Sequence, residues 1–141
     1  VSMMLDTFIH GRSIVDVGCG TGLLLDLHRV DVDSYMGLDP SAGMLSRLKE
    51  KHPYHRVIHS KFSVDHIVDG AVHCALFGSA SYLAASEVER LMCQDHFLMF
   101  YREGYVPEIY AQGNSLSDEE WFDVTRVEGV RLSDWIIVTN L

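Results

Sequence analysis

The feature that most constrains this chain is a glycine-rich turn between an apolar segment and a helical pattern. Ser13–Val17 is rich in β-branched residues and predicts a buried strand, and Gly18, Gly20 and Gly22 follow it directly. The leucine-rich stretch Gly22–His28 then predicts a helix. Glycine suits such a turn because the backbone can bend sharply and a ligand can approach without meeting a Cβ. The order strand, turn, helix therefore indicates a ligand-binding loop in an α/β domain.

An acidic residue at the end of the next strand supports this interpretation. Tyr35–Asp39 predicts the second strand, and its last carboxylate comes about twenty residues after the loop, where nucleotide-binding βαβ units place an acid against a ribose. The alternative is that Asp39 only caps the helix that begins after Ser41. The glycine spacing G-x-G-x-G differs from the G-x-G-x-x-G of dinucleotide sites, and no lysine follows as a P-loop requires.

Two motifs resemble those of a known family. Val15–Gly22 resembles the first motif of class I S-adenosylmethionine-dependent methyltransferases, and Gly37–Ser41 resembles their second. The resemblance extends, with decreasing clarity, from Ser13 to about Arg102. It implies S-adenosyl-L-methionine as the cofactor and a Rossmann-like α/β fold: a mostly parallel sheet, helices on both faces and an antiparallel edge at the C-terminal end.

The remaining pattern alternates strands and helices, as a parallel sheet covered by helices requires. Before the first strand lies a short lead over Val1–Arg12, with one or two amphipathic turns. The predicted elements after the second strand are a helix over Ala42–Lys51 with Ser41 as N-cap and Pro53 as stop, a strand over Arg56–His59, a turn of helix within Val64–Asp69, a strand over Ala71–Phe77, a helix over Ser81–Met92 and a strand over His96–Tyr101.

Beyond Arg102 the pattern changes. It predicts a loop over Gly104–Ser115, a brief helix from Ser117 to about Phe122, and two closing strands over Val124–Glu128 and Trp135–Thr139. With 141 residues the chain is long enough for one domain and too short for two, so residues 1–141 are expected to form a single methyltransferase-like domain.

The family resemblance also assigns a cofactor site. It implies that Asp16 acts on the methionine amine, through the loop or a water molecule, and that Asp39 accepts hydrogen bonds from the ribose hydroxyls. The other implied contacts are the backbone around the methionine moiety and residues at the second motif and beside the adenine: Gly18, Cys19, Gly20, Pro40 and Met44.

The sequence departs from the family at the adenine position. The family often has an acid and a small residue after the third strand, whereas this chain has Ser60, Lys61 and Phe62. A lysine cannot accept the hydrogen bond of the adenine amino group. Either Ser60 or Ser63 accepts it, or backbone N–H groups and stacking on Phe62 hold the adenine.

The acceptor side is expected beyond the fourth strand, because ligands of open α/β sheets lie outside the carboxyl ends of the strands. Phe77, Gly78 and Ser79 should face it. The candidate general bases are Tyr82, Glu103 and Tyr105, although an amine acceptor would need only orientation and desolvation. Cys74, in the middle of the strand, is interpreted as a packing residue and not as a nucleophile.

Composition limits the partners. A net charge of −9 without a cluster of lysine or arginine argues against a DNA or RNA acceptor. Three widely spaced cysteines indicate a reducing compartment, the cytoplasm, and no apolar run approaches the roughly 18 residues that span a membrane. No metal is expected, because His52, His55 and His59 share no face of one element.

These observations predict methyl transfer to a small molecule. Two alternatives are a methyltransferase acting on protein or RNA within a complex, and a non-catalytic donor-binding module, which Lys61 and the unidentified base would suit. The short lead leaves the crevice either open or closed by a second copy of the chain. In a homodimer the predicted contact loop contains Tyr105, Pro107, Ile109 and Tyr110.

Overall fold

A seven-stranded sheet organises the molecule. The computed structural model describes residues 2–77, 87, 90–91, 93–102, 128–132 and 135–139. The strands are β1 (Ile14–Val17), β2 (Tyr35–Asp39), β3 (Arg56–His59), β4 (Val72–Phe77), β5 (Phe97–Arg102), β6 (Glu128–Leu132) and β7 (Trp135–Thr139). The helices are α1 (Ser2–Ile9), α2 (Leu23–Leu27) and α3 (Ala42–Lys51), with 3₁₀ turns at Val32–Ser34 and Val64–His66.

The strand order is β3-β2-β1-β4-β5-β7-β6. The first five of these strands are parallel, with Ile14 of β1 opposite Tyr35 of β2 and Val72 of β4. β7 runs antiparallel to both β5 and β6. The order reverses between β1 and β4, so the connections from these two strands leave the sheet in opposite directions. The crevice that this reversal opens lies at the carboxyl ends, next to the glycine loop.

The two faces of the sheet are covered differently. Alternate strand residues such as Ile14, Cys74 and Leu98 form one buried cluster with apolar side chains of all three helices: Leu5 and Ile9 of α1, Leu24 and Leu25 of α2, and Leu45 and Leu48 of α3. On the opposite face Phe62 packs near the ring of His73 and accepts a hydrogen bond at its carbonyl from Arg90, one of the helical residues 87, 90 and 91.

The boundaries of β2, α3 and β3 are those that the sequence predicts, and Ser41 caps α3. The amphipathic turns predicted in the lead are the two-turn helix α1, in which Leu5 and Ile9, four residues apart, are both buried. One element differs. The first closing strand was predicted at Val124–Glu128 but lies at Glu128–Leu132. Gly129, expected to start a turn, pairs with Val138 inside the ladder.

Several predicted elements lie outside the described residues: most of the Ser81–Met92 helix, the Gly104–Ser115 loop and the Ser117–Phe122 helix. In the portion of the chain that is described, no helix has the length and apolar character needed to cross a membrane.

Candidate cofactor site

The glycine loop is fastened to the neighbouring strand. Gly18, Gly20 and Gly22 adopt left-handed backbone angles, with φ of 70°, 54° and 92°. The N–H of Cys19 donates to the carbonyl of Leu38 at 2.9 Å, and the N–H of Gly22 closes the turn on the Cys19 carbonyl at 2.9 Å. The turn is therefore held in one conformation by the protein itself, which lowers the entropy lost on binding a ligand.

Asp39 completes this connection between loop and strand. Its Oδ2 accepts a hydrogen bond from the N–H of Gly20 at 2.9 Å, and its Oδ1 accepts one from the N–H of Ser41 at 2.8 Å. The hydroxyl of Ser41 in turn accepts from the N–H of Met44 and caps α3. Each carboxylate oxygen keeps a further acceptor position. The structural and ligand-binding interpretations of Asp39 are thus compatible, because the groups that hold the carboxylate leave it able to accept from hydroxyls.

Asp16 lies in a different environment. It is 1% exposed within β1, and its Oδ2 accepts a hydrogen bond of 2.6 Å from the hydroxyl of Tyr35. The pKa of Asp16 is raised to about 7. Burial is the largest cause and the charge of Asp39 adds to it, whereas the hydrogen bond from Tyr35 lowers the pKa. The carboxyl group therefore titrates near neutral pH at the base of the glycine loop.

Tyr35 is the residue that sequence reasoning missed. Its ring lies over Gly37, where an added Cβ would be 2.8 Å from the phenol oxygen and 2.9 Å from Sγ of Cys19. Burial, with the nearby charge of Asp16, raises the pKa of the Cys19 thiol, which is therefore neutral. The available signal was the spacing: an aromatic residue with a polar tip stands two positions before a glycine on a buried strand, hence on the same face.

The adenine side requires one correction. Phe62 is 2% exposed and packs near His73, so stacking of its ring on an adenine is wrong for this conformation. The hydroxyl of Ser60 donates to the carbonyl of Lys61, whose side chain is exposed. The Ser63 hydroxyl lies 3.1 Å from Nδ1 of His66 in a capping box. The aromatic ring was drawn into the core because burial of an apolar surface outweighs a solvent-facing position.

The other predicted site residues lie partly within the described structure. Pro40 follows Asp39 directly, and its carbonyl faces Nε2 of His59 at 2.7 Å. Met44 lies in the first turn of α3, where its N–H donates to the Ser41 hydroxyl. Phe77 ends β4 at the carboxyl edge of the sheet. The rest, Gly78, Ser79, Tyr82, Glu103 and Tyr105, lie outside the described residues, as do Pro107, Ile109 and Tyr110 of the predicted contact loop.

The histidines have separate partners. Nε2 of His52 lies 2.8 Å from Asp26, Nε2 of His55 donates to the carbonyl of Val30, and Nε2 of His59 donates to that of Pro40. Among the described residues, no three His, Cys, Asp or Glu side chains are arranged to hold a metal ion. Cys74 is fully buried in β4, and burial raises its thiol pKa well above the usual value, as expected of a packing residue.

The residues at the carboxyl edge fit a nucleoside that carries an amino acid. The left-handed glycines leave the loop without side chains, so a ligand can lie against the backbone. Asp39 accepts from Gly20 and Ser41 and has acceptor positions to spare, and the buried Asp16 carboxyl group lies in β1, two residues before the loop. Neutral thiols at Cys19 and Cys74 add no competing charge.

A family model described as a methyltransferase domain matches residues 14–95 of the chain. The match starts at β1 and includes the glycine loop, Asp39 and β4. No curated protein sequence matches the chain significantly.

Solved structures share the fold at low sequence identity. A ribosomal protein L11 methylase from Lactobacillus delbrueckii subsp. bulgaricus is 15% identical with a TM-score of 0.57, and the match covers 98% of this chain and 74% of that one. A TehB-like SAM-dependent methyltransferase from Corynebacterium glutamicum is 16% identical with a TM-score of 0.58, covering 98% and 84%. An rRNA methylase from Streptococcus thermophilus is 13% identical with a TM-score of 0.57, covering 99% and 94%.

Proposed function

The chain belongs to the methyltransferase domain family, and from this premise we propose that it transfers the methyl group of S-adenosylmethionine to a small-molecule acceptor. The donor and the class of reaction follow from the family. The acceptor and the roles of individual residues are our proposal. The observation that carries the residue assignment is the carboxylate of Asp39, held by Gly20 and Ser41 at the loop with acceptor positions to spare.

The donor supplies an activated carbon: its S–CH₃ bond breaks as the acceptor–CH₃ bond forms, and the electron pair of the broken bond stays on sulfur. The residues of this chain have to hold the two reactants in line and exclude water. In the proposed arrangement Asp39 accepts from the ribose hydroxyls, and the backbone of Gly18 to Gly20 lies along the methionine moiety. Asp16 stabilises the ammonium group from below the loop.

Charge supports a small-molecule acceptor. The chain carries a net charge of −9, and a polyanion such as RNA would be repelled unless a local basic surface compensated. An amine suits the acidic crevice because it is attracted as a cation and needs no strong base once its proton has left to solvent. The free cysteines, two of which are buried, support our placement of the protein in the cytoplasm.

A second candidate is a macromolecular acceptor. It is favoured by the structural likeness to a ribosomal protein L11 methylase and an rRNA methylase, both of which this chain matches along almost its whole length. Under this alternative a partner protein or RNA would cover the crevice.

Two experiments test the proposal in sequence. Isothermal titration with S-adenosylmethionine and with its demethylated product should give saturable binding, and absence of binding to either would contradict it. The chain is then incubated with donor labelled in the methyl group and, separately, with a pool of metabolite amines, with ribosomal RNA and with ribosomal proteins. Label in the small-molecule fraction supports the proposal, whereas label confined to a macromolecule favours the second candidate.

A further inference from the structure

We infer that Tyr35 is a positioning residue for donor binding: its hydroxyl holds the Asp16 carboxyl group in place beneath the glycine loop. The two side chains come from neighbouring strands and meet at 2.6 Å. This inference rests on the proposed role of Asp16 toward the methionine amine. It adds a residue that lies outside both sequence motifs.

The path of the Tyr35 ring makes this contact specific. Tyr35 begins β2, yet its hydroxyl reaches Asp16, which stands opposite Gly37 in the parallel ladder. The ring therefore runs along the strand toward the loop, over a position that has no Cβ. The ring of His55 meets it edge-on, with 5.5 Å between centroids. The phenol is thus packed at Gly37 and against His55, with its hydroxyl beside the Asp16 carboxyl group and the Cys19 thiol.

The groups that face Asp16 come from three elements. β2 supplies Tyr35 and the charge of Asp39, the loop supplies Cys19, and β4 supplies the buried Cys74. The helices on this face contribute apolar residues to the same cluster, among them Leu24. Within the described residues, the Tyr35 hydroxyl is the hydrogen-bond donor to the Asp16 side chain.

The hydrogen bond has a chemical consequence for binding. A phenol that donates to a carboxylate favours the ionised form, whereas burial and the Asp39 charge favour the protonated form. An ionised Asp16 attracts the ammonium group of the donor, and a protonated one does not. Tyr35 therefore keeps the carboxyl group ionised at a lower pH than its burial alone would allow.

The experiment is a titration of the intact chain with S-adenosylmethionine at pH values from about 6 to 9, comparing wild type, Y35F and the control Y54F. Tyr54 is 80% exposed, so the control removes a hydroxyl that holds nothing in the described structure. Wild-type affinity should increase as pH rises through about 7, the pKa of Asp16. In Y35F the same increase should occur at higher pH, with affinity about fivefold weaker at pH 7 for a pKa shift of roughly one unit.

The curves of Y35F and wild type should converge near the upper end of the pH range, and Y54F should match wild type throughout. The donor's own ammonium group titrates identically in every protein, so it cannot produce a difference between them. A uniform loss of affinity at all pH values, or no loss, would overturn the inference, because a structural role alone does not move the midpoint.

The single variant D16N keeps the inference falsifiable if Y35F does not fold. D16N removes the titrating group, and the hydroxyl of Tyr35 can still donate to the asparagine oxygen. The affinity of D16N for S-adenosylmethionine should no longer increase as pH rises through about 7, and the same increase as in wild type would overturn the inference. Failure of the wild type to bind donor at any pH would instead contradict the proposed function itself.

Discussion

Two carboxyl groups lie near the same loop in opposite surroundings. Asp39 is 8% exposed, and backbone N–H groups donate to both of its oxygens. Asp16 is 1% exposed and receives one side-chain hydroxyl in an otherwise apolar cluster. Burial raises the pKa of Asp16 to about 7 although the Tyr35 hydroxyl donates to it.

The two carboxyl groups differ in what holds them: two backbone N–H groups for Asp39 and one side-chain hydroxyl for Asp16. The N–H groups that donate to Asp39 belong to the loop and to the start of α3, so loss of this carboxylate would loosen both. Asp16 receives its hydrogen bond from the side chain of Tyr35. Because the pKa of Asp16 is about 7, its ionisation responds to pH and to a nearby cation. We expect Asp39 to anchor the loop and Asp16 to become fully ionised when the ammonium group of S-adenosylmethionine arrives.

The largest expected effect concerns stability at Asp16. Its pKa is raised from 3.8 to about 7 in the folded chain. Between these values the folded state keeps a proton that the unfolded state has released, so the free energy of unfolding falls as pH rises and stays low above pH 7. D16N lacks this titration. From pH 4 to pH 8, the free energy of unfolding of D16N, measured by urea denaturation, should rise relative to that of wild type by up to about 4 kcal/mol.

Asp26 offers the matched control for this measurement. It is exposed and pairs with Lys51 and His52, and its pKa is lowered. The sign is therefore opposite: its contribution is present at neutral pH and is lost as pH falls, so D26N should lose stability relative to wild type as pH rises. Parallel pH profiles for D16N and wild type would mean that the pKa of Asp16 is the same in the folded and the unfolded chain.

Replacement of Asp39 should weaken donor binding next most strongly. Hydrogen bonds to a charged group contribute roughly 1.5–3 kcal/mol each, and water partly replaces the lost acceptor. D39A should therefore lose about 2–3 kcal/mol of donor binding, a thirty- to hundredfold rise in Kd by calorimetry. The structure adds a loss of stability, because the N–H groups of Gly20 and Ser41 lose their acceptor. D33A, at an exposed acid, is the control, and full affinity in D39A would reduce Asp39 to a structural role.

Gly37→Ala tests whether the space above the strand is needed. Its Cβ would lie 2.8 Å from the Tyr35 hydroxyl and 2.9 Å from the Cys19 sulfur. Overpacking of this kind costs about 1–3 kcal/mol, which thermal denaturation should detect. Gly43→Ala is the matched control, since its Cβ would meet only the Ser41 hydroxyl at 4.0 Å within α3. Gly43→Ala should stabilise the helix, by roughly 0.5–1 kcal/mol. Equal effects of the two substitutions would contradict the packing of Tyr35 over Gly37.

The smallest effect separates the cap from the carboxylate. Ser41→Ala removes the hydroxyl that accepts from Met44, but it keeps the backbone N–H that donates to Asp39. It should cost about 1 kcal/mol of stability and leave donor affinity unchanged. Ser46→Ala, on the exposed face of α3, should cost nothing. A clear fall in donor affinity for Ser41→Ala would mean that the cap itself positions Asp39.

Local chemistry made several elements predictable from sequence. The boundaries of α3 follow from Ser41 and Pro53, since an N-cap hydroxyl and a missing backbone N–H act within one or two turns. The glycine loop was predictable because left-handed backbone angles leave few alternatives to glycine. The position of Asp39 followed from the end of an apolar strand. Each of these features depends on neighbours in the chain.

The tertiary structure decided what depends on distant residues. Phe62 was expected at the ligand and lies in the core, because the space near His73 exists only once the strands are assembled. The lead forms α1 because the sheet offers a surface on which Leu5 and Ile9 become buried. The raised pKa of Asp16 likewise needs Tyr35 from the next strand and the cover of the helices. The sequence by itself determined the turn, the cap and the acid at the strand end through local backbone chemistry. Burial, and with it the ionisation of Asp16, is a property of the assembled sheet.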